Sequence, residues 1–276
     1  MTDIDLSESN LGKTSLIKKI EAALIKFKVL KFDGQYLTPD VLASIGSKFG
    51  DFSEDPFIEP LSLDIPVIEV KRAKYESTPI FGGNWHSDWS FQPEPPRLTF
   101  LYGHVVPPQG GRTIFADCVR AHRNLPEAIK GRLTTLEAIH SARRAYGPFG
   151  LFAKDDPSRS MKIKISDSAE KTIDHPMVRF IKELGEGAIF VNPVYTVGIK
   201  GLGDRESANL LKGLCEHITE EAFQLPISWS RGTLVIWDNR TVIHFAEGGY
   251  EGYERVMFRM TVGKEQPLKF KKVEFN

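Results

Sequence analysis

Thr233-Leu234-Val235-Ile236-Trp237-Asp238-Asn239-Arg240-Thr241-Val242-Ile243-His244-Phe245 reads as two short apolar strands joined by a polar turn at 237–240. β-branched and aromatic residues dominate both arms, and Asp and Asn at the bend supply the local side-chain hydrogen bonds that turns favour. A third strand-like run follows, Arg255-Val256-Met257-Phe258-Arg259-Met260-Thr261-Val262. Upstream, a second block of strands is expected between Ile65 and Val119. Its members are Val67–Val70, Leu98–Val106 and Thr113–Ala116, punctuated by turns at Pro93–Pro96 and Pro107–Gly111. Ala188–Asn192 adds a strand between the blocks, and Val29–Phe32 adds one near the start.

Helices flank these blocks. Leu16, Ile17, Ile20, Leu24 and Phe27 recur at helical spacing, which predicts a helix over 15–28 capped by Thr14 or Ser15. Thr38-Pro39-Asp40 offers an N-cap, a first-turn proline and an acidic start to a second helix. That helix carries Val41, Leu42, Ile45 and Phe49 on one face and is expected to stop at Gly50. Further helices are expected over 125–140 and 205–223. Residues 146–172 are polar and irregular, the character of a lid or mobile insert. Two strand blocks separated by helices predict a mainly β fold with flanking helices, built as an antiparallel sandwich or barrel. β-rich units of this kind often exceed about 200 residues, so 1–276 reads as a single domain.

Composition narrows the function. Lys plus Arg and Asp plus Glu both number 36, so no overall field draws the chain to nucleic acid or to an acidic membrane surface. The start of the chain, Met1 to Ser9, has neither the basic nor the apolar part of an export signal, and no apolar run approaches a membrane span. Cys118 and Cys215 then read as reduced core thiols, and the cytoplasm is the expected compartment. A small-molecule partner is expected, with no role for nucleic acid or membrane.

The sharpest local signal is Asn84-Trp85-His86-Ser87-Asp88-Trp89. In extended chain, residues two apart share a face, so His86 and Asp88 can present an imidazole nitrogen and a carboxylate oxygen to one ion. The pattern alone also fits a hydrogen-bonded structural histidine. A third ligand is available in His244, on the strand after the 237–240 turn. Two histidines and a carboxylate on one face of an ion is the arrangement of non-haem Fe(II) oxygenases. Arg255 and Arg259 lie four apart on one strand and therefore on one face, where guanidinium groups suit carboxylates. Exposed surface ion pairs would give the same spacing.

In their order, His86-x-Asp88, Gly110-Gly111-Arg112-Thr113, Trp237-Asp238-Asn239-Arg240, His244, Arg255 and Arg259 resemble the TauD/TfdA family of iron(II)- and 2-oxoglutarate-dependent dioxygenases, which includes taurine dioxygenase. The resemblance runs from about residue 15 to Gly263. It implies a double-stranded β-helix, or jelly-roll, core with Fe(II) held by His86, Asp88 and His244 as the catalytic centre. It also implies 2-oxoglutarate as cosubstrate, its distal carboxylate bound by Arg255 and Thr113. Arg259 would lie near the cosubstrate or hold an anionic group of the substrate. The implied reaction consumes O2, converts 2-oxoglutarate to succinate and CO2, and hydroxylates a C–H bond of a small organic molecule. Halogenation is disfavoured, because related halogenases replace the carboxylate ligand with a small residue. The resemblance is also compatible with a homo-oligomer.

Two departures bear on the substrate. A sulfonate-contacting histidine of taurine dioxygenase, about thirty residues before the first iron ligand, has no counterpart in Ser53–Ile58, and an asparagine four positions before that ligand is Gly82 here. Taurine is therefore not the expected substrate. Phe81, Asn84, Trp85 and Arg259 are the candidate substrate residues, with Trp89 and Phe91 as further candidates. The alternatives are a metal-dependent jelly-roll isomerase or hydrolase, which leaves Thr113, Arg255 and Arg259 without a joint purpose, and a non-catalytic sensor that binds metal and 2-oxoglutarate. His175-Pro176-Met177-Val178-Arg179 reads as structural, and so do His104, His122, His140, His217, Trp229 and Trp237.

Overall fold

A computed structural model describes Leu6, residues 14–154 and residues 156–270. The chain opens with helix α1 (Thr14–Phe27), strand β1 (Val29–Phe32) and helix α2 (Pro39–Gly46). Then come β2 (Ile68–Arg72), β3 (Pro96–Val105), β4 (Thr113–Asp117), α3 (Cys118–Asn124), α4 (Glu127–Leu133), β5 (Glu137–Ser141) and α5 (Arg143–Tyr146). Four short strands follow, β6 (Thr172–Pro176), β7 (Val178–Ile181), β8 (Glu186–Ile189) and β9 (Thr196–Ile199), before α6 (Asp204–Ile218). The chain ends in β10 (Gln224–Ile227), β11 (Leu234–Asp238), β12 (Val242–Ala246) and β13 (Arg255–Lys264).

Two antiparallel sheets make the jelly-roll core. The larger has the order β1-β11-β3-β13-β2 and the smaller β10-β4-β12. Alternation along β13 explains how the larger sheet is covered. Val256, Phe258, Met260 and Val262 join a cluster with Ile20 and Leu24 of α1 and with Leu42 and Ile45 of α2. Met257 points the other way and packs with Leu101 of β3, Phe115 of β4 and Val235 of β11, filling the space between the sheets. Arg255 and Arg259 share that inner face, because they too are an even number of residues from Met257. A strand with one face under helices and the other in a sandwich must be buried on both sides, and β13 is buried from Arg255 to Val262.

The elements expected from sequence are present with several revisions. Thr38 caps α2 with its hydroxyl on the Val41 amide, but the helix ends at Gly46, and a tight turn carries the chain to Gly50, which adopts a positive φ. The segment 125–140 is a short helix followed by strand β5, whose residues Ala138 and His140 are buried. The helix expected over 205–223 stops at Ile218, with one 3-10 turn beyond it at Glu221–Phe223. Strands β6, β7, β9 and β10 lie in stretches read from sequence as irregular or left unassigned. The possible cap Ser15 lies within α1, which includes Thr14 at its first position. Among the described residues, no helix is long and apolar enough to cross a membrane.

The turn before β4 depends on two glycines. Gly110 and Gly111 both have positive φ, and Gly111 donates its amide to the Gly248 carbonyl at 2.9 Å. A Cβ on Gly110 would run into the Gly249 carbonyl oxygen. Gly110→Ala combines an unfavourable φ with a backbone clash and is expected to lower the urea unfolding free energy by about 2 kcal/mol or more. Behind the core, His140 is fully buried and faces the Ser90 hydroxyl at 3.0 Å. Burial, reinforced by His175, pushes the His140 imidazole down to about 3. The unfolded chain takes this proton near the ordinary value of 6.5 and the folded chain only near 3, so His140 erodes stability as pH falls through that window. The stability lost between about pH 7 and about pH 5 is expected to be about 2 kcal/mol larger in the wild type than in His140→Gln, read from unfolding curves at both pH values.

Candidate active site

Backbone pairing brings the two halves of the His/Asp/His set together. His86 and His244 form an isolated antiparallel bridge, with His86 N donating to His244 O at 2.9 Å and His244 N to His86 O at 2.8 Å. His244 in turn sits opposite Phe115 of β4, and Ala246 opposite Thr113, so Thr113 and His244 share the inner face of the smaller sheet. The ligand atoms of His86, Asp88 and His244 lie within 4.8 Å of one another, and all three residues are buried. His86 Nδ1 lies 2.8 Å from the Asn84 carbonyl, which can only accept, so this nitrogen carries a hydrogen. His86 Nε2 is then turned to Asp88 Oδ1 at 3.6 Å, and His244 Nε2 reaches the same oxygen at 3.9 Å.

Asp88 is 2 % exposed, and its two oxygens have different neighbours. Oδ1 faces both imidazoles and lies 2.7 Å from Arg259 Nη2. Oδ2 accepts the Thr99 hydroxyl at 2.5 Å. Thr99 Oγ1 accepts from Asn239 Nδ2 at 2.7 Å, and Asn239 Oδ1 accepts the Trp237 indole N–H at 2.8 Å. The end of β11 and the turn that follows it at 239–241 are thus the outer end of a buried hydrogen-bond relay that terminates on Asp88. Burial alone would raise the Asp88 carboxyl, but Arg259, His244 and His86 outweigh it and hold it well below the usual carboxylate range. Burial also pushes the His244 imidazole down to about 3, helped by His86. An ionised carboxylate beside a neutral His244 is the donor chemistry a divalent transition metal takes, and the set leaves room for further ligands.

The two arginines of β13 differ in their partners. Arg259 is held between Asp88 and a second buried carboxylate, Asp55, whose Oδ2 is 3.9 Å from Nη1, and its guanidinium lies over the Trp89 ring at 5.0 Å. Asp55 Oδ1 accepts the amides of Phe57 and Ile58 at 2.8 and 3.1 Å. Burial nevertheless raises the Asp55 carboxyl to about 6, against the pull of Arg259. Arg255 is equally buried, yet its Nε and Nη2 have no hydrogen-bond partner among the described residues. Burial accordingly lowers the Arg255 guanidinium below its ordinary value. A buried guanidinium with unmatched donors is costly unless an anion completes it. Thr113, His86, Asp88, His244 and both arginines line one small cavity of about 50 Å³.

A wider pocket of about 530 Å³ opens beside His86, walled by Phe81, Trp85, Tyr146, Phe152, Tyr195 and Phe245 among others. Of the sequence-derived substrate candidates, Phe81, Asn84 and Trp85 line this pocket. Arg259 lines the small cavity instead, and Trp89 and Phe91 line neither. Trp89 is buried beneath Arg259, in a left-handed backbone conformation, and Phe91 packs edge-on against Tyr195.

The family profile described as "Taurine catabolism dioxygenase TauD, TfdA family" matches residues 2–261. The chain belongs to the TauD/TfdA family. It is a 2-oxoglutarate-dependent dioxygenase, an oxidoreductase whose cofactors are Fe(II), 2-oxoglutarate and O2. Among its relatives, the α-ketoglutarate-dependent sulfate ester dioxygenase of Pseudomonas putida is 28% identical over 256 residues, covering 91% of this chain and 82% of the relative. The α-ketoglutarate-dependent 2,4-dichlorophenoxyacetate dioxygenase of Cupriavidus pinatubonensis is 31% identical over 257 residues, covering 88% and 86%. A solved taurine dioxygenase from Burkholderia xenovorans superposes with a TM-score of 0.76 at 25% identity, covering 96% of this chain and 87% of that one. AAD-2, solved in complex with Mn(II) and N-oxalylglycine, gives a TM-score of 0.77 at 25% identity, covering 96% and 92%.

Several residues around the site of this dioxygenase escape a reading of sequence. Thr99 is one hydroxyl in an apolar strand, and only the register of β3 beside β11 places it near Asn239. Asp55 sits in a loop with no periodic pattern. Trp229 and Trp237, read as packing residues, each donate an indole N–H, to Thr113 Oγ1 at 3.0 Å and to Asn239 Oδ1. Thr99→Val keeps the shape of the side chain and removes the donor to Asp88. It is expected to weaken Mn(II) binding by the dioxygenase about tenfold, measured by competition with a chelating dye, while the circular dichroism spectrum stays unchanged.

Proposed function

We propose that His86, Asp88 and His244 hold Fe(II), that Arg255 and Thr113 receive the distal carboxylate of 2-oxoglutarate, and that the wider pocket admits a small, anionic organic substrate for hydroxylation at a C–H bond. The observation that carries this reading is the pair of unmatched donors on buried Arg255, Nε and Nη2, in the same small cavity as the His/Asp/His set. An isomerase or hydrolase would leave that cation without a partner. The relatives lend support: by their names, they act on sulfate esters and on 2,4-dichlorophenoxyacetate.

The residues divide the work. The bound iron supplies the redox chemistry that couples decarboxylation of 2-oxoglutarate to oxidation of the substrate. The Arg255 fork fixes the far end of the cosubstrate, which limits how its near end can approach the His/Asp/His set. Trp229 donates to Thr113 Oγ1, so the Thr113 hydroxyl keeps its own hydrogen to offer an anion. Arg259 holds Asp88 Oδ1 from one side and Thr99 holds Oδ2 from the other, which limits rotation of the carboxylate. Phe81, Trp85, Phe152 and Phe245 exclude water beside His86 and give the substrate an apolar seat. Tyr146, Leu151 and Phe152, from the start of the 146–172 segment, wall that pocket, and in this reading the segment serves as a lid on a single dioxygenase domain.

Anaerobic titration of the protein with Fe(II) and 2-oxoglutarate tests the assignment through the visible charge-transfer band of the chelate. A band is expected in the wild type. His86→Ala and Asp88→Ala should abolish it, and Arg255→Ala should raise the 2-oxoglutarate concentration needed by about 100-fold, the scale for leaving a buried charge unpaired. Iron binding without a band, or an unchanged midpoint in Arg255→Ala, would overturn the assignment. Succinate release with panels of alkyl sulfates, sulfonates and aryloxy acids would then sort the substrate class.

A further inference from the structure

One oxygen of Asp88 is subject to two demands. Oδ1 faces His86 Nε2 at 3.6 Å and His244 Nε2 at 3.9 Å, so it is the carboxylate oxygen placed to serve an ion shared by the three side chains. The same Oδ1 lies 2.7 Å from Arg259 Nη2, while Oδ2 is engaged by the Thr99 hydroxyl. A guanidinium at that distance draws on the negative charge that a divalent cation needs, and the two cations repel each other. The surroundings of Arg259 moderate this conflict. Nη2 is close to Oδ1 yet has no well-directed hydrogen bond among the described residues. Nη1 lies 3.9 Å from Asp55 Oδ2, an oxygen that likewise has no hydrogen-bond partner among them. The Asp55 side chain has no exposed surface, and Arg259 is the one cation in ion-pair range of it among the described residues. Asp55 is also fixed in place. Its Oδ1 accepts the amides of Phe57 and Ile58, and that loop is tied down by Lys164 N donating to Phe57 O at 2.8 Å and by Phe57 stacked on Tyr146.

We infer that Asp55 is a positioning residue for Asp88: it draws the charge of Arg259 toward itself and so leaves Asp88 Oδ1 able to serve the metal ion. The inference rests on the reading of His86, Asp88 and His244 as the metal site. Arg259 and Asp55 then act on that site in opposite directions, although they form one ion pair. The arginine opposes the ion at Oδ1, and the aspartate relieves the opposition. A pair that only held the fold together would act in a single direction, because removing either member leaves the other buried and unmatched.

Mn(II) affinity of the full chain at pH 8, measured by competition with a chelating dye, tests this, and loss of binding in His86→Ala identifies the site being read. Asp55→Asn keeps an acceptor for the Phe57 and Ile58 amides and removes the charge. It is expected to weaken Mn(II) binding about tenfold, the scale on which groups that support a metal ligand act. Asp55→Glu, which keeps the charge, should restore most of that loss. Arg259→Gln should bind Mn(II) at least as tightly as the wild type, and the double variant Asp55→Asn/Arg259→Gln should match Arg259→Gln within about twofold. Weaker binding in Arg259→Gln, unchanged binding in Asp55→Asn, or a double variant as weak as Asp55→Asn would overturn the inference. The double variant leaves neither charge unmatched, so its comparison with the wild type remains decisive if a single variant fails to fold. A wild type that binds no Mn(II) would overturn the metal-site reading itself, which separates that failure from failure of the role given to Asp55.

Discussion

A carboxylate stripped of water is tolerable only when other charges and donors replace the hydration it loses, and Asp88 is the group around which this protein solves that problem. Arg259 answers the charge, Thr99 answers one oxygen, and the two imidazoles stand around the other. Each of these partners needs its own support. Arg259 is backed by Asp55 and Trp89, and Thr99 by Asn239, which is held by Trp237. Strands β3, β11 and β13 of the larger sheet therefore all contribute to the state of a single side chain on a turn. The same demand explains why the end of β11 and the turn after it carry polar residues, Asp238 to Thr241, that are nonetheless buried.

Arg255 and Arg259 show how one strand can supply two guanidinium groups with opposite purposes. Both are buried on the inner face of β13, four residues apart. Arg259 has two of the protein's own carboxylates at ion-pair distance, whereas Arg255 has none among the described residues and keeps Nε and Nη2 without a hydrogen-bond partner. The first is a part of the scaffold and the second an invitation to a ligand. Spacing along a strand assigns them a common face but says nothing about this difference, which depends on where Asp55 and Asp88 fall in space.

That contrast marks the boundary of what the sequence discloses. Local pattern is legible where one element decides it: the alternation of Val256, Phe258 and Met260 places Arg255 and Arg259 opposite them, and Thr38-Pro39-Asp40 announces the start of α2. The ligand-like pairing of His86 with Asp88 follows from a separation of two in extended chain, and His244 is recognised by its place after the 237–240 turn. Contacts between distant segments are not legible. Strand β5 is short, and its Ala138 and His140 face inward because β6 and β9 flank it, so the run leading into it reads as the continuation of a helix. Thr99 and Asp55 carry no periodic or motif signal, and their importance arises from register and from a loop conformation.

The order of strands in the larger sheet also constrains how the protein is made. β1, within the first forty residues, pairs with β11, and β13 is inserted between β2 and β3 from the other end of the sequence. During synthesis, β2 and β3 emerge long before the strand that joins them, so the early chain presents two unpaired edges and an open apolar face. A topology so rich in non-local pairing folds slowly, and its half-made forms are open to association with other chains. Closure of the sheet by β13 also delivers Arg255 and Arg259, so a ribosome-bound chain cannot assemble the charged centre before its strands are nearly all present. Fold completion and site completion are a single late event.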